Sequence, residues 1–183
     1  MNEKTVKTSG ADERTPSRSE YFSWINNTNE GSTEKQTLVN LAFFRYLKER
    51  YRMSLDIYAW DAGNLDGAGN SYETLDGEKL SKQYPHGYAP VVEAAADMGT
   101  RLGVWGGADG YGEDERDAEK RRQLLVKLCK DYRFALFKFD AVCGLLREDK
   151  REEFAKSLRE CRCYSPDLIP VSYTHLLAHE PGR

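Results

Sequence analysis

The chain has 183 residues, 39% of them apolar and 31% charged, with a formal net charge of −3. That is enough to bury one sizeable core, and the near-balance of charge gives no support to a nucleic-acid surface as the main theme. No run approaches the roughly 18 apolar residues of a membrane span, and the first twenty residues lack the apolar centre of a secretory leader, so neither a membrane partner nor export has support in the sequence.

In chain order, residues 1–19 are rich in Lys, Glu, Thr and Ser and are expected to form a disordered or linking segment. An apolar run from Tyr21 to Ile25 follows and ends in Asn26-Asn27-Thr28-Asn29. Thr33 and Gln36 are spaced as a capping box, and Leu38, Leu41, Phe44, Leu47 and Tyr51 recur at helical spacing, predicting a core-facing helix. A second run, Leu55 to Trp60, ends in Asp61-Ala62-Gly63-Asn64. The glycine-bearing loop from Ala62 to about His86 is too long for a plain connection and is expected to shape a site. Pro90 to Met98 predicts a short helix stopped by Gly99 in a left-handed cap. The third run, Leu102 to Trp105, ends in Gly106-Gly107-Ala108-Asp109. A helix over about 114–132 should turn Ala118, Arg121, Leu125, Leu128 and Tyr132 inward; its interleaved charges belong on a solvated face. The fourth run, Phe134 to Asp140, precedes a helix over about 150–161 with Phe154, Leu158 and Cys161 inward, and Asp167 to Pro170 starts a fifth strand.

Each apolar run therefore stops at an aromatic, amide or small residue beside a carboxylate. Trp24, Trp60, Trp105 and Asp140 are separated by 36, 45 and 35 residues, near the repeat of a strand-helix unit. Four such units and the start of a fifth predict an α/β fold, a truncated (β/α)8 TIM barrel rather than a doubly wound sheet; a complete barrel needs about 250 residues. In such folds ligands meet the C-terminal strand ends, which places Asp140 at a rim although an isolated strand-end Asp more often caps a turn. Aromatics beside Asp, Asn and Lys suit a carbohydrate, whose ring faces stack while its hydroxyls take hydrogen bonds. An unclosed barrel would also leave its outer strands unpaired and prone to self-association.

Other patterns carry less. Gly106 to Gly112 lacks the register and the Lys-Ser/Thr pair of a phosphate loop. Cys129, Cys143, Cys161 and Cys163 include no CxxC pair and have no adjacent histidine, so no metal or other cofactor is expected and reduced thiols suit an intracellular setting. His86 reads as a surface loop residue. Residues 171–180 resemble, in all but Leu177, the translation of a transposon-derived sequencing adapter, so 171–183 is expected to be a non-native tail and its His175/His179 pair is assigned no function. The expected division is 1–19, a barrel segment over 20–170, and that tail.

From Tyr21 to Leu168 the sequence resembles the melibiase-type α-galactosidases and their clan of retaining glycoside hydrolases. The most specific part is Leu136-Phe137-Lys138-Phe139-Asp140, which is similar to the family's Lys-aromatic-Asp motif at the end of the fourth barrel strand. The resemblance implies that Asp140 is the catalytic nucleophile and that Lys138 contacts substrate hydroxyls. It places Trp60 and Asp61 among the sugar-binding residues, although the family's paired Asp-Asp followed by Trp is absent, and adds Trp24, Trp105 and Asp109. It puts the acid/base at the end of a sixth strand that this chain does not reach. Retaining chemistry needs both a nucleophilic carboxylate and that acid, about 5–5.5 Å apart. An ammonium two residues before Asp140 on the same strand face would favour its ionised form. Two other readings fit the same strand ends: a carbohydrate-binding barrel without catalysis, or another barrel enzyme such as an aldolase or isomerase, which would want a Schiff-base lysine or metal ligands there.

Overall fold

The structure is a computed structural model that describes residues 17–23, 33–61, 75, 77–107, 111–140 and 146–172. Strands β1 (Glu20–Phe22), β2 (Ile57–Trp60), β3 (Arg101–Gly107), β4 (Leu136–Asp140) and β5 (Ile169–Ser172) lie in the order β1-β2-β3-β4-β5. Every neighbouring pair is parallel. Helices α1 (Glu34–Tyr51), α2 (Glu78–Gln83), α3 (Ala89–Ala96), α4 (Glu115–Tyr132) and α5 (Arg151–Tyr164) supply the crossovers, giving a curled half-barrel. Parallel strands need such long returns, and the sequence repeat follows from that need.

The helices start and stop where local chemistry dictates. Thr33 caps α1 by accepting from the Gln36 N–H at 3.2 Å, while the Gln36 amide donates forward to Asn40. Asp114 caps α4 by accepting from the Asp117 N–H at 2.9 Å. Gly99 sits at φ +76, a left-handed conformation that suits glycine, and the Thr100 N–H closes onto the Ala95 carbonyl. The loop expected after Ala62 contains the helix α2 near its end, a six-residue element too short for a periodic signal to reveal.

Strand pleating divides the sheet into two faces. Tyr58, Trp60, Leu102, Val104, Phe137 and Phe139 point to the helix layer, where they join Leu125 and Leu128 of α4 in the main core. Ile57, Ala59 and Leu136 are buried in a second cluster on the inner face, with Phe22, Ile169 and Val171 partly buried beside them. The register builds that inner face in layers. Phe22, Ala59, Gly103, Leu136 and Ile169 are successive cross-strand partners and make one apolar layer. Trp105, Lys138 and Val171 make the next layer toward the C-terminal ends, level with Asp61, and Gly107 beside Asp140 tops it.

At the other end of the sheet Asp167 is a clasp. Its carboxylate accepts from Arg18 at 2.7 Å and from Arg101 at 2.5 Å, joining the segment before β1, the start of β3 and the turn before β5. Ser19 adds a bond from its N–H to Asp56 at 2.8 Å. Among the described residues, Arg18 is tied to Asp167 and β5 pairs with β4 through Ser172.

Two outcomes follow from the packing. A Cβ at Gly103 would stand 3.0 Å from that of Leu136 and 3.1 Å from that of Ala59, so Gly103→Val should lower the unfolding free energy by about 1–3 kcal/mol in urea titrations. Partial burial raises the Asp167 carboxyl, but the hydrogen bonds and charges of Arg101 and Arg18 outweigh this and hold it below its usual 3.8. A depressed folded value stabilises the protein above the unfolded value and is lost as pH falls through the folded one. Asp167→Asn should therefore cost up to about 1 kcal/mol at pH 7, less in high salt because the side chain is 42% exposed, with the difference from the parent closing below about pH 4.

Candidate active site

The inner face at the C-terminal strand ends brings together four side chains from three strands. The Lys138 ammonium, on β4, donates to Asp61 Oδ2 at 2.6 Å across the intervening β3. Both partners are buried, with side-chain exposures of 9% for Lys138 and 2% for Asp61. The ammonium also lies 5.1 Å from the Phe22 ring centroid, a cation–π contact from the layer below. Trp105, on β3 between them, donates its indole N–H to Asp140 Oδ2 at 3.2 Å. Asp140 and Trp105 are half-buried.

Local sequence explains this convergence. Lys138 and Asp140 are two apart on a strand and share a face, whereas their neighbours Phe137 and Phe139 are driven outward into the helix layer. Asp61 follows Trp60 and alternates with it in the same way. Gly103 and Gly107 are the inner-face positions of β3 on either side of Trp105.

One expected sugar contact is corrected. Trp60 has no exposed surface; it points away from the cup, stacks on Tyr88 at 5.0 Å, and donates its indole N–H to Thr37 at 3.0 Å. The period of two that turns Asp61 inward necessarily turns Trp60 outward. Trp24 and Asp109 lie outside the described residues, as do Cys143 and the His175/His179 pair. Sequence reasoning missed Phe22, which belongs to the inner layer as the register partner of Ala59, a pairing that no local pattern in the chain reveals. It also placed Arg121 simply in the core, yet that buried guanidinium donates to the Gly107 carbonyl at 2.6 Å, supporting the β3 tip opposite Asp140. His86 is engaged by Glu34 at 2.8 Å, away from this cup. Among the described residues no group of three His, Cys, Asp or Glu side chains forms a metal site.

Chemically, the arrangement offers a half-buried carboxylate that accepts from the Trp105 indole, beside a buried ammonium–carboxylate pair whose groups can exchange hydrogen bonds with hydroxyls.

No family model and no curated protein matches the sequence. Solved structures do match the fold. An α-galactosidase from Lactobacillus brevis superposes with a TM-score of 0.58 at 11% identity, over 85% of this chain and 26% of its own. The α-galactosidase of Thermus thermophilus, solved with stachyose, gives 0.57 at 17% identity over 90% of this chain and 42% of its own. A family 36 α-galactosidase of Geobacillus stearothermophilus, solved with 1-deoxygalactonojirimycin, gives 0.55 at 11% identity over 86% and 28%. The chain thus spans about a quarter to two fifths of the length of these structures, and what it shares with these α-galactosidases is the fold of part of their chains.

Proposed function

We propose that this chain carries part of the active site of a retaining α-glycosidase, with an α-galactoside as the substrate class. The observation that supports it is the convergence of Asp140, Lys138, Asp61 and Trp105 on one inner face at the C-terminal strand ends. In this reading Asp140 attacks the anomeric carbon, and Lys138 with Asp61 receives the sugar hydroxyls. The fold shared with part of the α-galactosidase chains supports the choice of substrate class.

The Lys138–Asp61 pair supports a ligand-binding role on energetic grounds. Burying both ions costs several kcal/mol in desolvation, and well-packed apolar replacements are often as stable or more so. A pair held at such cost beside a half-buried carboxylate is better explained by what it binds than by what it stabilises. The oxocarbenium-like transition state also needs a proton donor for the leaving oxygen. In this reading Asp61, held by Lys138, serves the substrate hydroxyls and another group supplies that proton.

Release of nitrophenol from 4-nitrophenyl α-galactoside by this chain should stay at background, with Asp140→Ala indistinguishable from it. Clear turnover abolished by Asp140→Ala would show that the chain supplies its own acid. Asp61→Ala should cost about 3–5 kcal/mol in urea unfolding, because it strands a buried ammonium. The double change Asp61→Leu with Lys138→Met should recover most of that stability while galactose binding, followed by calorimetry, is lost; retained binding in the double variant would contradict the role of the pair.

A further inference from the structure

Helix α1 is apolar on two sides. Leu38, Leu41 and Phe44 face the sheet and join the main core, while a second stripe looks outward, away from the inner face that carries Asp140. Val39, Phe43 and Tyr46 are each more than half exposed, and Ala42 is exposed between them. With 3.6 residues per turn these four fall within about 100° of the helix circumference. Exposed aromatics gathered in one patch mark a surface that meets another molecule.

The stripe carries charge only at its ends. Lys35 stands one turn before Val39 and Glu49 about one turn after Tyr46. Both are exposed, and among the described residues neither side chain is held by a hydrogen bond or an ion pair. The pattern is symmetrical about a midpoint between residues 42 and 43: Val39 matches Tyr46, Ala42 matches Phe43, and Lys35 matches Glu49 to within one residue. Turned end for end, the helix therefore lays apolar on apolar and ammonium on carboxylate, the self-complementarity that a two-fold axis demands. Ala42 lies at the crossing point, where a small side chain shortens the distance between helix axes. Arg50, the other charge at that end, falls on the opposite side of the stripe from Glu49, toward Gln36 of the second copy.

We infer that the outer face of α1 is a homodimer surface on which a second copy of this chain lays its own α1 antiparallel. Val39 packs on Tyr46 of the other copy, Ala42 and Phe43 meet at the two-fold axis, and the Lys35–Glu49 pair forms twice. These pairs set the direction, because parallel packing would put Lys35 beside Lys35 and Glu49 beside Glu49. The contact is one helix face, smaller than a standard interface, so the dimer is weak. It is distinct from pairing along the outer edges of β1 and β5, which would join strands and leave the α1 charges out of the contact.

Sedimentation equilibrium of the whole chain against protein concentration is the test. The parent should pass from monomer to dimer with a Kd in the micromolar range. Phe43→Glu puts a charge at the centre of the patch and should weaken the dimer at least about a hundredfold, with the melting temperature little changed because the position is exposed. Lys35→Glu and Glu49→Lys should each weaken it about tenfold, since each turns two attractions into two repulsions, and the double reversal should return the Kd to within about threefold of the parent. Both reversals suit the helix dipole, so neither should cost folding. A chain that stays monomeric up to about 1 mM overturns the proposal. So does assembly into larger species, or association untouched by Phe43→Glu, which would belong to the strand edges. A double reversal no tighter than the single ones would show that the two helices do not pack antiparallel and would overturn the arrangement.

Discussion

The structure depends on one geometric constraint, the period of two along parallel strands held in register. Each strand sends alternate residues to the helix layer and to the inner face, so the outward aromatic core and the inward polar site are two halves of one pattern. Burial of Tyr58, Trp60, Phe137 and Phe139 against the helices fixes the facing of Ala59, Asp61, Lys138 and Asp140. A slip of one residue in β4 would push Lys138 and Asp140 into an apolar core and Phe139 into the cup, an exchange costing far more than the fold can absorb. The catalytic reading thus draws its geometry from hydrophobic packing.

The two ends of the sheet do different work. At the N-terminal ends, Arg101, Arg18 and Asp167 link segments far apart in sequence, and Arg101 also donates to the carbonyls of Arg133 and Phe134. These partners are surface-accessible, their bonds are short, and their contribution is structural. At the C-terminal ends, the Lys138–Asp61 pair is buried and Asp140 is half-buried beside Trp105. The clasp between distant segments lies at one end of the sheet and the proposed site at the other, the division that barrel folds of this kind favour.

Much of this was legible in the residues because strands, helices and their caps are local phenomena. The capping Thr33, the stop at Gly99 and the inward stripe of α4 were all readable from spacing, as was the alternation of units that implies parallel pairing. The failures share a cause. Trp60 was placed in the cup because it ends an apolar run beside an acid, but the same run contains Asp61, and two consecutive residues of a strand cannot share a face. The choice between them needs the register, which is set by packing against Tyr84 and Tyr88 from a segment whose helix was too short to recognise. The partnership of Lys138 with Asp61, 77 residues apart, is likewise a consequence of strand order rather than of any local motif. Tyr51, expected in the α1 stripe, is 57% exposed because it lies at the helix terminus, beyond the reach of the sheet.

The central claim is that a sugar occupies the cup between Asp140 and the Lys138–Asp61 pair. A crystal structure of this chain soaked with galactose tests it most directly. The account predicts a sugar on the inner face, with C1 near Asp140 Oδ1 and ring hydroxyls within hydrogen-bond distance of Lys138 and Asp61. A sugar bound at the Arg101–Asp167 end of the sheet, or an empty cup at saturating galactose, would contradict it.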